Sequence, residues 1–127
     1  MDHSIFQFVI TIDDDLRIRE SVESLLESAG LASLVFSSAE EFLRSGSLSE
    51  ARCLITDVRM VGIDGVELLR RVRLVRPQLP VIFITGHQDD EVRRKALEGG
   101  AFAFLLKPFE PADLLAIVSQ AVTGCDR

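Results

Sequence analysis

Residues 6–15 read FQFVITIDDD, a near-continuous apolar run rich in aromatic and β-branched residues and stopped by three aspartates. The run does not alternate with polar residues, so it suits a strand buried on both faces, as strands of a parallel sheet are. A helical pattern follows. Ile18, Val22, Leu25, Leu26 and Ala29 recur at i, i+4, i+7, i+8 and i+11, one face of a helix, and Gly30 stands where a C-terminal cap glycine belongs.

The same unit repeats along the chain. Leu31 to Phe36 reads as a second strand, and Ser37 or Ser38 can cap a helix through Phe42 and Leu43. Cys53 to Thr56 reads as a third strand, again stopped by an aspartate, Asp57. Gly62 to Gly65 forms a turn before a helix carrying Val66, Leu69, Val72 and Leu74. Pro77 and Pro80 break the chain ahead of a fourth strand, VIFIT at 81–85. Asp89 or Asp90 starts a helix that ends at Gly99 and Gly100. Ala103 to Leu106 is the fifth strand, Lys107-Pro108 turns the chain, and Pro111 to Val122 forms the last helix. Strands alternating with helices imply parallel βαβ crossovers, hence an α/β fold with an open, doubly wound sheet covered on both faces.

Composition fits one ordinary domain spanning residues 1–127, with 47% apolar and 27% charged residues. The net charge of -6, without a Lys/Arg run, argues against direct nucleic-acid contact by this domain. No apolar run is long enough for a bilayer, and the N-terminal MDHSIFQFVITIDDD lacks the basic and apolar regions of a secretion signal. The expected compartment is the cytoplasm, with no membrane partner. Cys53 and Cys125 read as free thiols there, and His3 and His87 are too isolated for a zinc site. The phenylalanines Phe36, Phe42, Phe83, Phe102 and Phe109 read as core or interface residues. Neither a GxGxxG nor a GxxxxGK[ST] pattern follows any strand.

In a doubly wound sheet, ligands bind outside the carboxyl ends of the strands. Asp13, Asp14 and Asp15 end strand one, Asp57 strand three, Thr85 strand four and Lys107 strand five. Two carboxylates about 4 Å apart repel by roughly 4 kcal/mol at an effective dielectric near 20. Several on one rim therefore need compensation. Lys107 can neutralise one charge, and an oxygen-loving divalent cation such as Mg²⁺ (or Mn²⁺) suits the rest. Helix capping explains one aspartate, here Asp15, but not three in sequence with a fourth on another strand.

These residues resemble the bacterial response-regulator receiver family. The acidic pair in IDDD, the segment TDVRM, the Thr-Gly after strand four and the Lys-Pro of LLKPF carry the likeness, spread over nearly the whole chain. The wording TDVRM…GIDGVELL, ITGHQD and FLLKPFEPADLL looks most like its FixJ-type branch. The resemblance implies a CheY-like (βα)5 fold with strand order 2-1-3-4-5. It implies Asp57 as phospho-acceptor from a sensor histidine kinase, in a switch rather than a turnover enzyme. It implies Mg²⁺ held by Asp13, Asp14, Asp57 and the Arg59 carbonyl. Lys107 would pair with Asp57 and then with a phosphoryl oxygen, to which Thr85 would donate its hydroxyl. Phe104 takes the switch aromatic position, and the peptide bond before Pro108 is expected to be cis. The face of helix four, strand five and helix five is expected to carry partner or homodimer contacts, with phosphorylation favouring the dimer.

Gly86 is expected to leave room beside Thr85. Arg59 and His87, each two residues past a site residue, are expected to border the phosphoryl group and tune its lifetime. One departure is Met60-Val61-Gly62, where the family usually has a proline before the glycine; its loss should loosen that turn. An aspartyl-nucleophile phosphatase would need a second aspartate where Arg59 stands, and a degenerate scaffold receiver would lack an acceptor, lysine or acidic pair. Stand-alone receiver and piece of a longer DNA-binding regulator both remain open from the sequence.

Overall fold

The five strands lie parallel in one sheet of order β2-β1-β3-β4-β5, seen in a computed structural model that describes residues 7–125. They are β1 (Phe8–Ile12), β2 (Ser33–Phe36), β3 (Ala51–Asp57), β4 (Val81–Thr85) and β5 (Ala103–Leu106). Between and after them run α1 (Leu16–Ser28), α2 (Ala39–Ser45), α3 (Gly65–Val75), α4 (Asp90–Glu98) and α5 (Pro111–Cys125). Strand order and architecture agree with the sequence expectation. Phe6 and His3 lie outside the described residues, as does the side chain of Cys125.

Alternation along the strands explains why their sequences read as continuous apolar runs. Ile10, Ile12, Leu54, Val81 and Phe83 point to one core, shared with Phe42 of α2, Leu68, Leu69 and Val72 of α3, and Ala96 of α4. Val9, Cys53, Ile55, Ile82 and Ile84 point to the other, closed by Val22 and Leu26 of α1 and Leu114, Val118, Ala121 and Val122 of α5. Every residue of β4 is buried. Burial on both faces leaves no face for polar residues, so period-two alternation is lost.

Local signals set the element ends. Asp15, Ser38, Asp64 and Asp89 each cap the helix that follows by accepting backbone N–H groups, satisfying donors that a helix start leaves orphaned. Gly30, with φ +76°, turns the chain after α1.

Several boundaries differ from the sequence reading. Strand β2 starts at Ser33, because the Leu31 N–H donates back to Leu26 O and serves the helix end instead. A 3₁₀ turn, Ser47–Glu50, leads into β3, which begins two residues earlier than expected. The expected apolar face of α3 included Leu74, yet Leu74 is 75% exposed and Leu68 is buried. Two residues beyond Val72, Leu74 is rotated by about 200° and so points away from the core. Phe42 and Phe83 are buried, while Phe36 and Phe109 are only partly so and Phe102 is exposed.

Candidate functional site

Three strand ends converge on Lys107. Its Nζ donates to Asp13 Oδ2 at 2.9 Å and to Asp57 Oδ2 at 3.1 Å. Its backbone N–H donates to Thr85 O at 2.7 Å, tying the end of β5 to the end of β4. The peptide bond between Lys107 and Pro108 is cis, as expected.

Asp13 is fully buried. Its Oδ1 accepts the Asp15 N–H at 2.9 Å, and its carbonyl accepts from Arg19 Nη1 at 2.7 Å. Burial pushes the Asp13 carboxyl above the usual range, although the Asp15 amide and Lys107 oppose the shift. For Lys107, burial disfavours the ammonium. The hydrogen bond and charge of Asp13, joined by those of Asp57, outweigh it and hold the ammonium above its ordinary pKa.

Asp57 lies at the carboxyl end of β3 and is 8% exposed. Both its side-chain oxygens are engaged, Oδ2 by Lys107 and Oδ1 by the Arg59 N–H at 3.3 Å. Asp14 is exposed. Carboxylate oxygens of Asp13, Asp14 and Asp57 lie within 4.8 Å of one another. An all-oxygen donor set carrying three formal negative charges, with Lys107 the cation paired to it, fits a hard divalent cation such as Mg²⁺. Asp15 accepts from the Arg17 N–H and caps α1, as anticipated.

Thr85 is 2% exposed, and its hydroxyl accepts the His87 N–H at 3.2 Å. Accepting leaves the hydroxyl proton available for donation. A Cβ added at Gly86 would meet no atom within 4 Å, so packing does not demand glycine there. Phe104 is half-buried, its ring centroid 6.3 Å from that of Phe83. His87 is exposed, whereas the Arg59 guanidinium reaches across to Asp89 Oδ2 at 3.1 Å.

A model of the response regulator receiver domain matches residues 9–119. The chain belongs to the response regulator receiver domain family. Among its relatives, this receiver is 44% identical over 114 residues to the transcriptional regulatory protein FixJ of Azorhizobium caulinodans, covering 90% of this chain and 54% of that one. The crystal structure of FixJ-N superposes with a TM-score of 0.82 at 34% identity, covering 97% of this chain and 96% of that one. A BeF3-activated DrrB receiver domain gives 0.85 at 30% identity, covering 93% and 98%. The receiver spans about half the length of the curated relatives it matches. Among the described residues, no helix is long and apolar enough to cross a membrane.

Four residues support the receiver site in ways the sequence reading did not assign. Gly65 is buried, and a Cβ there would lie 2.5 Å from the Asp57 carbonyl oxygen and 2.8 Å from Phe83. The Glu40 carboxylate accepts the Ile63 N–H at 2.9 Å, a bond that chiefly holds its pKa below the usual range. This contact tethers the Met60-Val61-Gly62 turn, which lacks its proline. Arg19 anchors the Asp13 carbonyl, and Asp89 receives Arg59. The glycine-flanked turn around Gly65 left a local trace, and Arg19 lies only six residues from Asp13; the Glu40–Ile63 and Arg59–Asp89 contacts join segments far apart in sequence.

Proposed function

We propose that the chain accepts a phosphoryl group on Asp57 from a phosphohistidine of a sensor histidine kinase. The observation that carries the reading is the meeting of Asp13, Asp57 and Lys107 at a buried point on the strand-end rim. An Asp57 carboxylate oxygen attacks phosphorus, the P–N bond to the histidine breaks, and the imidazole leaves with the electron pair and takes up a proton. Transfer of this kind needs positioning and charge neutralisation more than covalent help. Asp13, Asp14, Asp57 and the Arg59 carbonyl would hold Mg²⁺ (or Mn²⁺), which when bound neutralises charge on the phosphoryl oxygens.

Lys107 releases Asp57 and pairs with a phosphoryl oxygen. Thr85 donates its hydroxyl to another, and Phe104 follows it inward. Arg59 and His87 flank the group and limit water access, setting its lifetime. Replacing both and finding an unchanged dephosphorylation rate would refute that role. On this reading the domain is a switch rather than a turnover enzyme. It works in the cytoplasm, without contacting nucleic acid itself. Phosphorylation favours a homodimer or partner through the face of α4, β5 and α5. The half-length match to transcriptional regulators supports placing it within a longer DNA-binding protein.

The test is intact mass after incubation with acetyl phosphate and Mg²⁺, beside Asp57→Asn and a metal-free sample. One phosphoryl adduct that requires both Asp57 and the metal is expected. No adduct on folded protein would replace this reading with a scaffold role.

A further inference from the structure

Helix α4 is the most weakly seated of the five. It buries only Ala96 fully, whereas α3 buries Gly65, Leu68, Leu69 and Val72. An element with few buried apolar contacts opens at low cost, so its polar attachments carry weight. One of these starts beside the acceptor. The Arg59 N–H is 3.3 Å from Asp57 Oδ1, and the same residue's guanidinium is 3.1 Å from Asp89 Oδ2. Asp89 uses its other oxygen to cap α4, accepting the Glu91 and Val92 N–H groups at 3.1 and 3.2 Å. A single side chain thus bridges the acceptor loop and the start of α4.

We propose that the Arg59–Asp89 ion pair latches the α4 N-terminus to the acceptor loop, and that a phosphoryl group on Asp57 opens the latch by drawing the guanidinium to itself. The idea rests on the phospho-acceptor reading above. The pair is open to solvent, with side chains 54% and 35% exposed, and such pairs hold weakly. A phosphoryl group offers about two negative charges and three acceptor oxygens, which the planar guanidinium fork matches better than a lone carboxylate. The competition therefore runs toward release. Asp89 keeps its capping oxygen, so α4 stays helical while its tether to the site is lost.

Amide hydrogen exchange at Glu91 and Val92, read by NMR on the 127-residue chain, tests the latch. Arg59→Met and Asp89→Asn are compared with wild type, each with and without acetyl phosphate and Mg²⁺. Asparagine retains a capping oxygen. In the unphosphorylated chain each variant should speed exchange at both amides by about two- to five-fold, the factor an exposed pair supplies, and the double variant no further. Phosphorylated wild type should show the same increase, and phosphorylated Arg59→Met little more than the unphosphorylated variant. Acceleration in Asp89→Asn alone would mean a weakened cap and overturn the latch. An adduct verified by mass that leaves Glu91 and Val92 unchanged, or changes them equally in Arg59→Met, would overturn it while leaving the acceptor chemistry standing. No adduct would remove both.

Discussion

Thr11 illustrates how one atom can be mismatched to its surroundings. It sits mid-strand in β1, fully buried, opposite Val35 and Ile55, and its hydroxyl has no hydrogen-bond partner among the described residues. A buried hydroxyl without a partner costs stability because water's hydrogen bonds are not replaced. Valine has the same shape without that group. Thr11→Val should therefore raise unfolding stability by about 1 kcal/mol in urea titration. A loss instead would mean that an ordered water serves the hydroxyl.

At the scale of elements, the turn entering α3 decides whether Asp57 is held still. The Gly65 N–H donates to Val58 O at 2.8 Å, and backbone atoms of Asp57 and Val58 stand within 2.9 Å of where a Cβ would be. Backbone cannot move aside as a flexible side chain can. Gly65→Ala should cost about 1–3 kcal/mol and lower the adduct yield at Asp57, read by urea midpoint and intact mass together. Gly86→Ala, facing open space, should change stability by less than about 0.5 kcal/mol. Equal effects of the two substitutions would defeat the argument. Within α3, Glu67 receives Arg70 at 3.0 and 2.8 Å and Arg71 at 2.8 Å. The Arg70 and Arg71 hydrogen bonds hold its pKa at about 2, down from 4.5. A carboxylate with a depressed folded pKa stabilises the fold above its unfolded pKa. That contribution should persist above pH 4.5 and fade as pH falls toward 2. A carboxyl ¹³C NMR titration placing Glu67 near its ordinary value would contradict it.

For the whole molecule, the carboxylates gathered on one rim should make stability depend on a cation. Mg²⁺ at about ten times its dissociation constant should add about 1.4 kcal/mol, or about 3–6 °C in Tm for a chain of this size. Thermal unfolding followed by circular dichroism, with Mg²⁺ against a chelator, checks this; the shift should shrink in Asp14→Asn. An unchanged Tm would speak against a metal at the rim. That rim was legible in the sequence because parallel strands all end on the same side, so Asp13, Asp57, Thr85 and Lys107 could be aligned by counting strands. Contacts across the rim were not legible. Nothing local marks Arg59 as a partner of Asp89, or Glu40 as a partner of Ile63, since such pairs exist only once the loops are stacked. Leu74 misled for the opposite reason. It is apolar and helical, and only its angle around α3 reveals that it faces water.

The short outer strands also bear on how the protein behaves in a crowd. The sheet's two open sides are β2 and β5, each four residues long. A strand this brief offers a neighbouring chain only a few outward backbone groups, less than the five to six residues usual for a lasting strand pair. Short edges of this kind blunt edge-to-edge pairing, so among the described residues the sheet presents little template for fibril-like stacking.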